Sequence, residues 1–214
     1  MTISASDVAT LRAQTGAGMM DCKKALDETN GDMAKAVDYL REKGIAKAAK
    51  RAGKATTEGM VASYIHGAGK IGVLVEINSE TDFVAKNDSF KALVADIAMH
   101  IAGAAPKYLS REEVPAAELE REKSVYRAQL EQAGKPAGMI DKILTGKLGK
   151  YYSEVCLLEQ PFIKDEDKTI EKLLIEKTNE IGEKLTIRRF VRYELGEGME
   201  KKVHNLAADV SEQL

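Results

Sequence analysis

Tryptophan is absent from this 214-residue chain, and aromatic residues of all kinds make up only 5% of it. Any core must therefore lean on Leu, Ile, Val, Ala and Met. Only two cysteines occur, Cys22 and Cys156, far apart and with no Cys or His neighbour at metal-ligand spacing. That excludes a disulfide framework and a zinc site. Charge of one sign is not in surplus either: 32 Lys and Arg stand against 34 Asp and Glu, a net charge of −2, whereas a dedicated nucleic-acid binder carries a basic excess. No run of roughly 18 apolar residues is present, so no membrane-spanning helix is expected. The N-terminal residues lack a basic region followed by an apolar stretch. A reduced, soluble, cytoplasmic protein is the expectation, and Asn87-Asp88-Ser89 has no meaning as a glycosylation pattern without a secretory signal.

What is present is an ordinary globular mixture, 31% charged and 44% hydrophobic, long enough for one large domain or two small ones. Residues 4 to about 43 read as three short helices. Ser4 with Asp7 resembles a capping box, Gly16-Ala17-Gly18 ends the first helix, and Asp21 begins the second, with Cys22, Ala25 and Leu26 on its apolar face. Met33, Val37 and Leu40 stripe the third, which Gly44 is expected to stop. Ala46 to Lys54 is basic and Ala-rich, a helical linker that is either a solvated connector or a contact for an acidic surface. Met60–Ile65 and Ile71–Ile77 are strands of a hairpin around His66-Gly67-Ala68-Gly69-Lys70. Further on come a polar loop from Pro106 to Pro115, two charged helices joined at Gly134-Lys135-Pro136, and a short apolar strand at Val155–Leu158. A helix capped by Thr169 and a final strand in which Leu185, Ile187, Val191, Tyr193 and Leu195 alternate complete the pattern.

The most informative segment is Glu80-Thr81-Asp82-Phe83-Val84-Ala85-Lys86-Asn87, set between the second strand and a helix striped by Phe90, Leu93, Val94, Ile97 and Ile101. No core requires an acid beside an aromatic at such a junction, so the pair reads as a site. Enzyme chemistry finds no footing. His66, His100 and His204 are scattered, and no Ser or Cys sits in a nucleophile motif. Gly67-x-Gly69-x-x-Gly72 matches a dinucleotide fingerprint as text, but a strand follows it where a helix N-terminus is needed to receive the pyrophosphate. Met19-Met20, beside the glycines, is either core filler or an adaptable contact for a partner helix.

These residues carry a resemblance. Thr15 to Leu26, with Gly16-Ala17-Gly18-Met19-Met20-Asp21-Cys22, and Glu80-Thr81-Asp82-Phe83-Val84-Ala85 are similar to the two signature segments of the translation elongation factor Ts family. Ile97 to Ala102, Gln160-Pro161-Phe162 and Val191 to Gly198 are similar to its later segments. The resemblance implies a non-enzymatic guanine-nucleotide exchange factor, without a cofactor or metal of its own, that binds elongation factor Tu and promotes GDP release. It implies that Arg12, Met19 and Met20, with Lys23 nearby, contact a helix of the partner's GTPase domain, favouring the contact reading of the Met pair. Asp82 and Phe83, flanked by Thr81 and Val84, would intrude beside the magnesium and phosphate site of that domain. His66 and Ile163 would face a second domain. Longer members carry two copies of the core unit and this chain one, which implies that two chains pair as a homodimer.

The expected fold is α+β. Residues 1–44 form a three-helix ubiquitin-associated-like bundle and 45–58 a basic helical linker. An α+β core with an antiparallel sheet spans 59–200, with a helical hairpin inserted at 111–150, and 201–214 form a tail. Neither a membrane nor nucleic acid is an expected partner; a non-enzymatic nucleic-acid-binding α+β protein using the Lys47–Lys54 segment is the alternative.

Overall fold

Ser4 opens the first helix, α1 (Ala5–Thr15), with a reciprocal cap. Its hydroxyl accepts the Asp7 N–H at 3.1 Å while the Asp7 carboxylate accepts the Ser4 N–H at 3.1 Å, which satisfies donors that a helix start otherwise leaves open. Gly16, in the left-handed conformation, closes it. The structure, a computed structural model, describes residues 3–199; the expected tail at 201–214 lies outside them. Gly18 rather than Asp21 precedes α2 (Met19–Glu28), so the Met pair forms that helix's first turn. Asp32 caps α3 (Met33–Arg51) by accepting the Lys35 N–H. Val8, Leu11, Cys22, Ala25, Leu26 and Ala36 bury one another between the three helices.

Gly44 does not stop α3, which runs on to Arg51. A glycine inside a helix costs about 1 kcal/mol relative to Ala, and here close packing offsets it. A Cβ at Gly44 would lie 2.7 Å from Nδ2 of Asn179. The glycine is a contact surface for a later helix, which a stop signal read along the sequence does not distinguish.

Next come β1 (Glu58–His66) and β2 (Ile71–Ser79), an antiparallel hairpin with Met60 opposite Ile77 and Tyr64 opposite Val73. The four-residue helix α4 (Asp82–Ala85) and the long α5 (Asp88–Ala104) follow, and the Asn87 side chain caps α5 by accepting the Ser89 N–H. Helices α6 (Ala116–Gln132) and α7 (Ala137–Val155) form the hairpin expected from their narrow stripes. Glu118 fastens its base, accepting hydrogen bonds from the hydroxyls of Tyr108 and Tyr151 at 2.6 Å each. The carboxylate's hold on that hydrogen pushes the Tyr108 phenol up to about 12.

The apolar run Val155–Leu158 is not a strand. Val155 ends α7, Cys156 makes a lone bridge to Tyr108, and Leu157–Glu159 is a 3-10 turn. Tyr151 and Val155 are four residues apart on the buried side of α7, so helical periodicity extends to the first residue of the run. Four apolar residues alone do not separate the two readings. A small hairpin of β3 (Pro161–Phe162) and β4 (Asp165–Thr169) leads into α8 (Ile170–Ile181), capped by Thr169 as expected.

The last strand, β5 (Thr186–Glu194), pairs antiparallel with β2, giving the sheet order β1-β2-β5. Its alternation is broken. Glu76 pairs with Arg189 but Ile77 with Ile187, so Arg188 is an extra residue in a bulge, which flips the side chains beyond it. Ile187 and Phe190 pack inward against Ile77 and Val75, while Val191 and Tyr193 turn to the opposite face. The inner face of the sheet is covered by α5, against which α8 packs, in a core of Val73, Val75, Ile77, Phe90, Ile97, Ile101 and Ile170. The fold is α+β, as expected from the order of its elements.

Candidate functional site

Asp82 and Phe83 stand on the short α4 turn, directly after β2. Phe83 is 76% exposed, and the residue after it, Val84, is 6% exposed and belongs to the main core. An aromatic held in water beside a buried anchor is unusual for a chain with so few aromatics. The ammonium of Lys86 lies 5.5 Å from the Phe83 ring centroid, and the same ammonium lies 3.0 Å from the Asp82 carboxylate. Both side chains are thus presented outward on a base fixed by Val84. Thr81 precedes them with its hydroxyl turned to Glu183 at 2.7 Å. Val84 offers no surface for contact; its place is beneath the turn.

The N-terminal helices present a second face. Met20 is 75% exposed and Met19 46%, so the pair is not the core filler of this bundle. Arg12 on α1 and Lys23 on α2 are exposed as well. These helices lean on the core at the same end as the Asp82–Phe83 turn. Arg51 at the end of α3 meets Glu80 at 2.7 Å, and Gly44 lies against Asn179 of α8. The basic linker segment therefore finds acidic groups within its own chain: besides Arg51, Lys47 pairs with Asp21 at 2.7 Å.

His66 and Ile163 occupy the other end. His66 is exposed at the β1–β2 turn, its Nδ1 3.0 Å from the Tyr64 hydroxyl, while the Asp82–Phe83 turn follows the opposite end of β2. Nine-residue strands place the two roughly 26 Å apart. Ile163, at the tip of the β3–β4 hairpin, is half exposed and touches Gly103 near the end of α5. Its N–H donates to Nδ1 of buried His100 at 3.2 Å. That fixes the tautomer: Nε2 carries the proton and donates to Oε1 of Gln160 at 3.0 Å, whose amide nitrogen donates to the carbonyls of Ala104 and Glu154. Burial holds the His100 imidazole below its ordinary range, opposed in part by Gln160. The arrangement thus gathers Thr81, Asp82 and Phe83 at one end with Arg12, Met19, Met20 and Lys23 on the helices docked there, and sets His66 and Ile163 at the other.

Two features escaped the sequence. The outer face of the sheet exposes Val61 and Ile65 from β1, Leu74 from β2 and Tyr193 from β5, with Leu195 just beyond. The alternation of β1 pointed to it, but the bulge in β5 hid the share of that strand. The contacts of Glu80, Glu183 and Lys184 around the Asp82–Phe83 turn carried no periodic signal at all. Among the described residues no group of three or more His, Cys, Asp or Glu is placed to hold a metal ion, and no helix is long and apolar enough to cross a membrane. The Cys156 thiol is buried, and burial pushes it up to about 11.

The profile of the family described as "Elongation factor TS" matches residues 4–197. The chain belongs to the elongation factor Ts family. It is similar to the elongation factor Ts of Geobacter sulfurreducens (strain ATCC 51573 / DSM 12127 / PCA), at 60% identity over 211 residues covering 99% of this chain and 98% of the relative. That of Desulforamulus reducens (strain ATCC BAA-1160 / DSM 100696 / MI-1) is 59% identical over 212 residues, covering 99% and 98%. That of Acetivibrio thermocellus is 58% identical over 212 residues, covering 99% of each. The match to elongation factor Ts spans both exposed faces, so neither is an addition outside the shared fold.

Proposed function

We infer that the chain is a guanine-nucleotide exchange factor that binds elongation factor Tu and promotes release of GDP during translation elongation. The observation that carries the reading is the Asp82–Phe83 pair, projected into solvent from a turn whose next residue is locked in the core. Bound GDP depends on a magnesium ion and on phosphate-binding backbone amides of its GTPase. A rigid acid-aromatic wedge that displaces either one lowers nucleotide affinity. By linkage, bound nucleotide weakens the factor's own binding by the same factor, which lets it leave once a new nucleotide enters. The chain acts by binding and transforms no substrate of its own.

Several features support a finer assignment. Met19 and Met20 offer flexible, exposed thioethers suited to packing against a partner helix, with Arg12 and Lys23 beside them, and they share an end of the molecule with the wedge. His66 and Ile163, at the far end, fit contact with a second domain of the same partner. Val84 serves as the anchor of the wedge. We treat residues 1–44 as a three-helix ubiquitin-associated-like module, 45–58 as a linker whose first half continues α3, and 59–200 as the core. The exposed apolar face of Val61, Ile65, Leu74 and Tyr193 supports pairing of two chains through their sheets. Such a homodimer would work in the cytoplasm.

The test is the rate at which fluorescent GDP leaves elongation factor Tu with and without this chain. Acceleration at micromolar concentration supports the reading, and an unchanged rate rejects it. The nucleic-acid alternative loses two of the segment's cations, Lys47 and Arg51, which are engaged by Asp21 and Glu80.

A further inference from the structure

The loop that carries the wedge and the loop after α8 exchange carboxylates. Glu80 Oε1 accepts the backbone N–H of Lys184 at 2.7 Å. In return, Glu183 Oε2 accepts the backbone N–H of Thr81 at 2.9 Å, and its Oε1 accepts the Thr81 hydroxyl at 2.7 Å. Thr81 is the cap residue of α4 but makes no side-chain cap to that helix; its hydroxyl is committed to Glu183. A third segment joins here. Arg51 donates to the same Glu80 oxygen at 2.7 Å, and the Lys184 ammonium reaches the carbonyls of Ala52 and Lys54 at the end of α3. Three stretches remote in sequence thus meet directly beside Asp82 and Phe83.

Helix α4 has four residues, too few to hold its own shape in water. Its direction is set by what grips it, namely Val84 below and Thr81 at its entrance. We propose that Glu183 and Glu80 are positioning residues for nucleotide exchange: with Arg51 they lock the α4 turn at a fixed angle to both the core and the N-terminal helices, so that Asp82–Phe83 and Met19–Met20 meet the partner as one preformed surface. The proposal rests on the exchange reading above. Its physical content is preorganisation. A turn already held in its bound geometry loses little freedom on docking, and the gain falls on the productive arrangement of the wedge rather than on contact area. The Glu183 contacts to Thr81 are solvent-exposed, so their loss costs the fold little. Loss of the lock is therefore read in exchange before it is read in melting.

The experiment uses the full chain and elongation factor Tu loaded with fluorescent GDP, with release measured over a range of factor concentrations to separate the saturating rate from the half-saturating concentration. Glu183→Ala is expected to lower the saturating rate about tenfold, as misplacement of a positioned group does, with a melting shift of no more than about 3 °C. Glu183→Gln, whose amide oxygen still accepts the Thr81 N–H, is expected to recover to within about threefold of wild type, as a retained acceptor should allow. In an Asp82→Ala/Phe83→Ala background, Glu183→Ala is expected to cost less than about twofold more, because residues acting through one another are not additive. A wild-type saturating rate in Glu183→Ala, or the full loss repeated on top of the wedge variant, overturns the proposal. If Glu183→Ala melts early, Thr81→Val decides, since it removes only the hydroxyl half of the contact: a slowed saturating rate supports the lock and an unchanged one overturns it. Wild-type acceleration in the same assay separates failure of the lock from failure of the exchange reading, for without that acceleration both fall.

Discussion

Phe83 and Val84 are adjacent, yet the structure assigns them opposite consequences. Phe83→Ala removes a ring that is 76% exposed and whose one charged neighbour is the Lys86 ammonium, 5.5 Å from its centroid. A cation over an exposed ring is worth about 0.5–1 kcal/mol, so the free protein should lose no more than about 1 kcal/mol, a melting shift of roughly 2–4 °C at this size. In the proposed complex, the exposed three quarters of the side chain would pass out of water. Burying a whole Phe is worth roughly 1.5–3 kcal/mol, so truncation should remove about 2 kcal/mol from the interaction, or about 30-fold in kcat/KM for exchange. Val84→Ala acts elsewhere. At 6% exposure within the main core, losing two methyl groups and leaving a cavity costs about 2 kcal/mol of stability, a drop of roughly 4–8 °C, and because Val84 anchors the turn, the loss of exchange, read well below the melting range, is expected to stay smaller than that of Phe83→Ala. Stopped-flow release of fluorescent GDP, with thermal melts of the same preparations, reads both quantities. The reasoning fails if Phe83→Ala melts as early as Val84→Ala, or if it exchanges nucleotide at the wild-type rate.

Met20→Ala is expected to weaken binding to nucleotide-free elongation factor Tu by roughly 1–3 kcal/mol, the range of an interface hot spot, with no change in melting; calorimetry that finds equal affinity would return the Met pair to a passive role. Tyr193→Lys with Leu74→Lys, on the outer sheet face, should turn a dimer into monomers by light scattering without unfolding the chain, and a wild type that is already monomeric rules out the pairing. His100 carries a pH dependence. Its imidazole is held neutral in the fold, by burial first, so the unfolded chain takes up a proton more readily and stability falls as pH drops through about 6.5 toward the lower folded value. His100→Gln should melt at lower temperature at neutral pH and lose less on going from about pH 7 to about pH 5.5 than wild type does; parallel melting curves for the two proteins would refute this.

Much of the molecule was legible as local pattern. Capping by Ser4 and Asp7, the β1–β2 hairpin, the stripe of α5 and the cap at Thr169 all depend on residues within a few positions of one another, and there the sequence contains the whole interaction. The position of Asp82–Phe83 at a strand-to-helix junction was legible for the same reason. What needed the tertiary structure involves partners far apart in the chain. Gly44, inside a helix rather than at its end, lies against Asn179, and Tyr193 faces outward because one extra residue, Arg188, shifts the phase of a strand against β2. Exposure of Met20, burial of Val84 and the grip of Glu183 on Thr81 are of the same kind. The sequence by itself determined which residue types stand at the wedge and that they lie between two rigid elements. Only the fold decided which of them point into water, because a side chain's direction depends on what packs against its backbone from a hundred residues away.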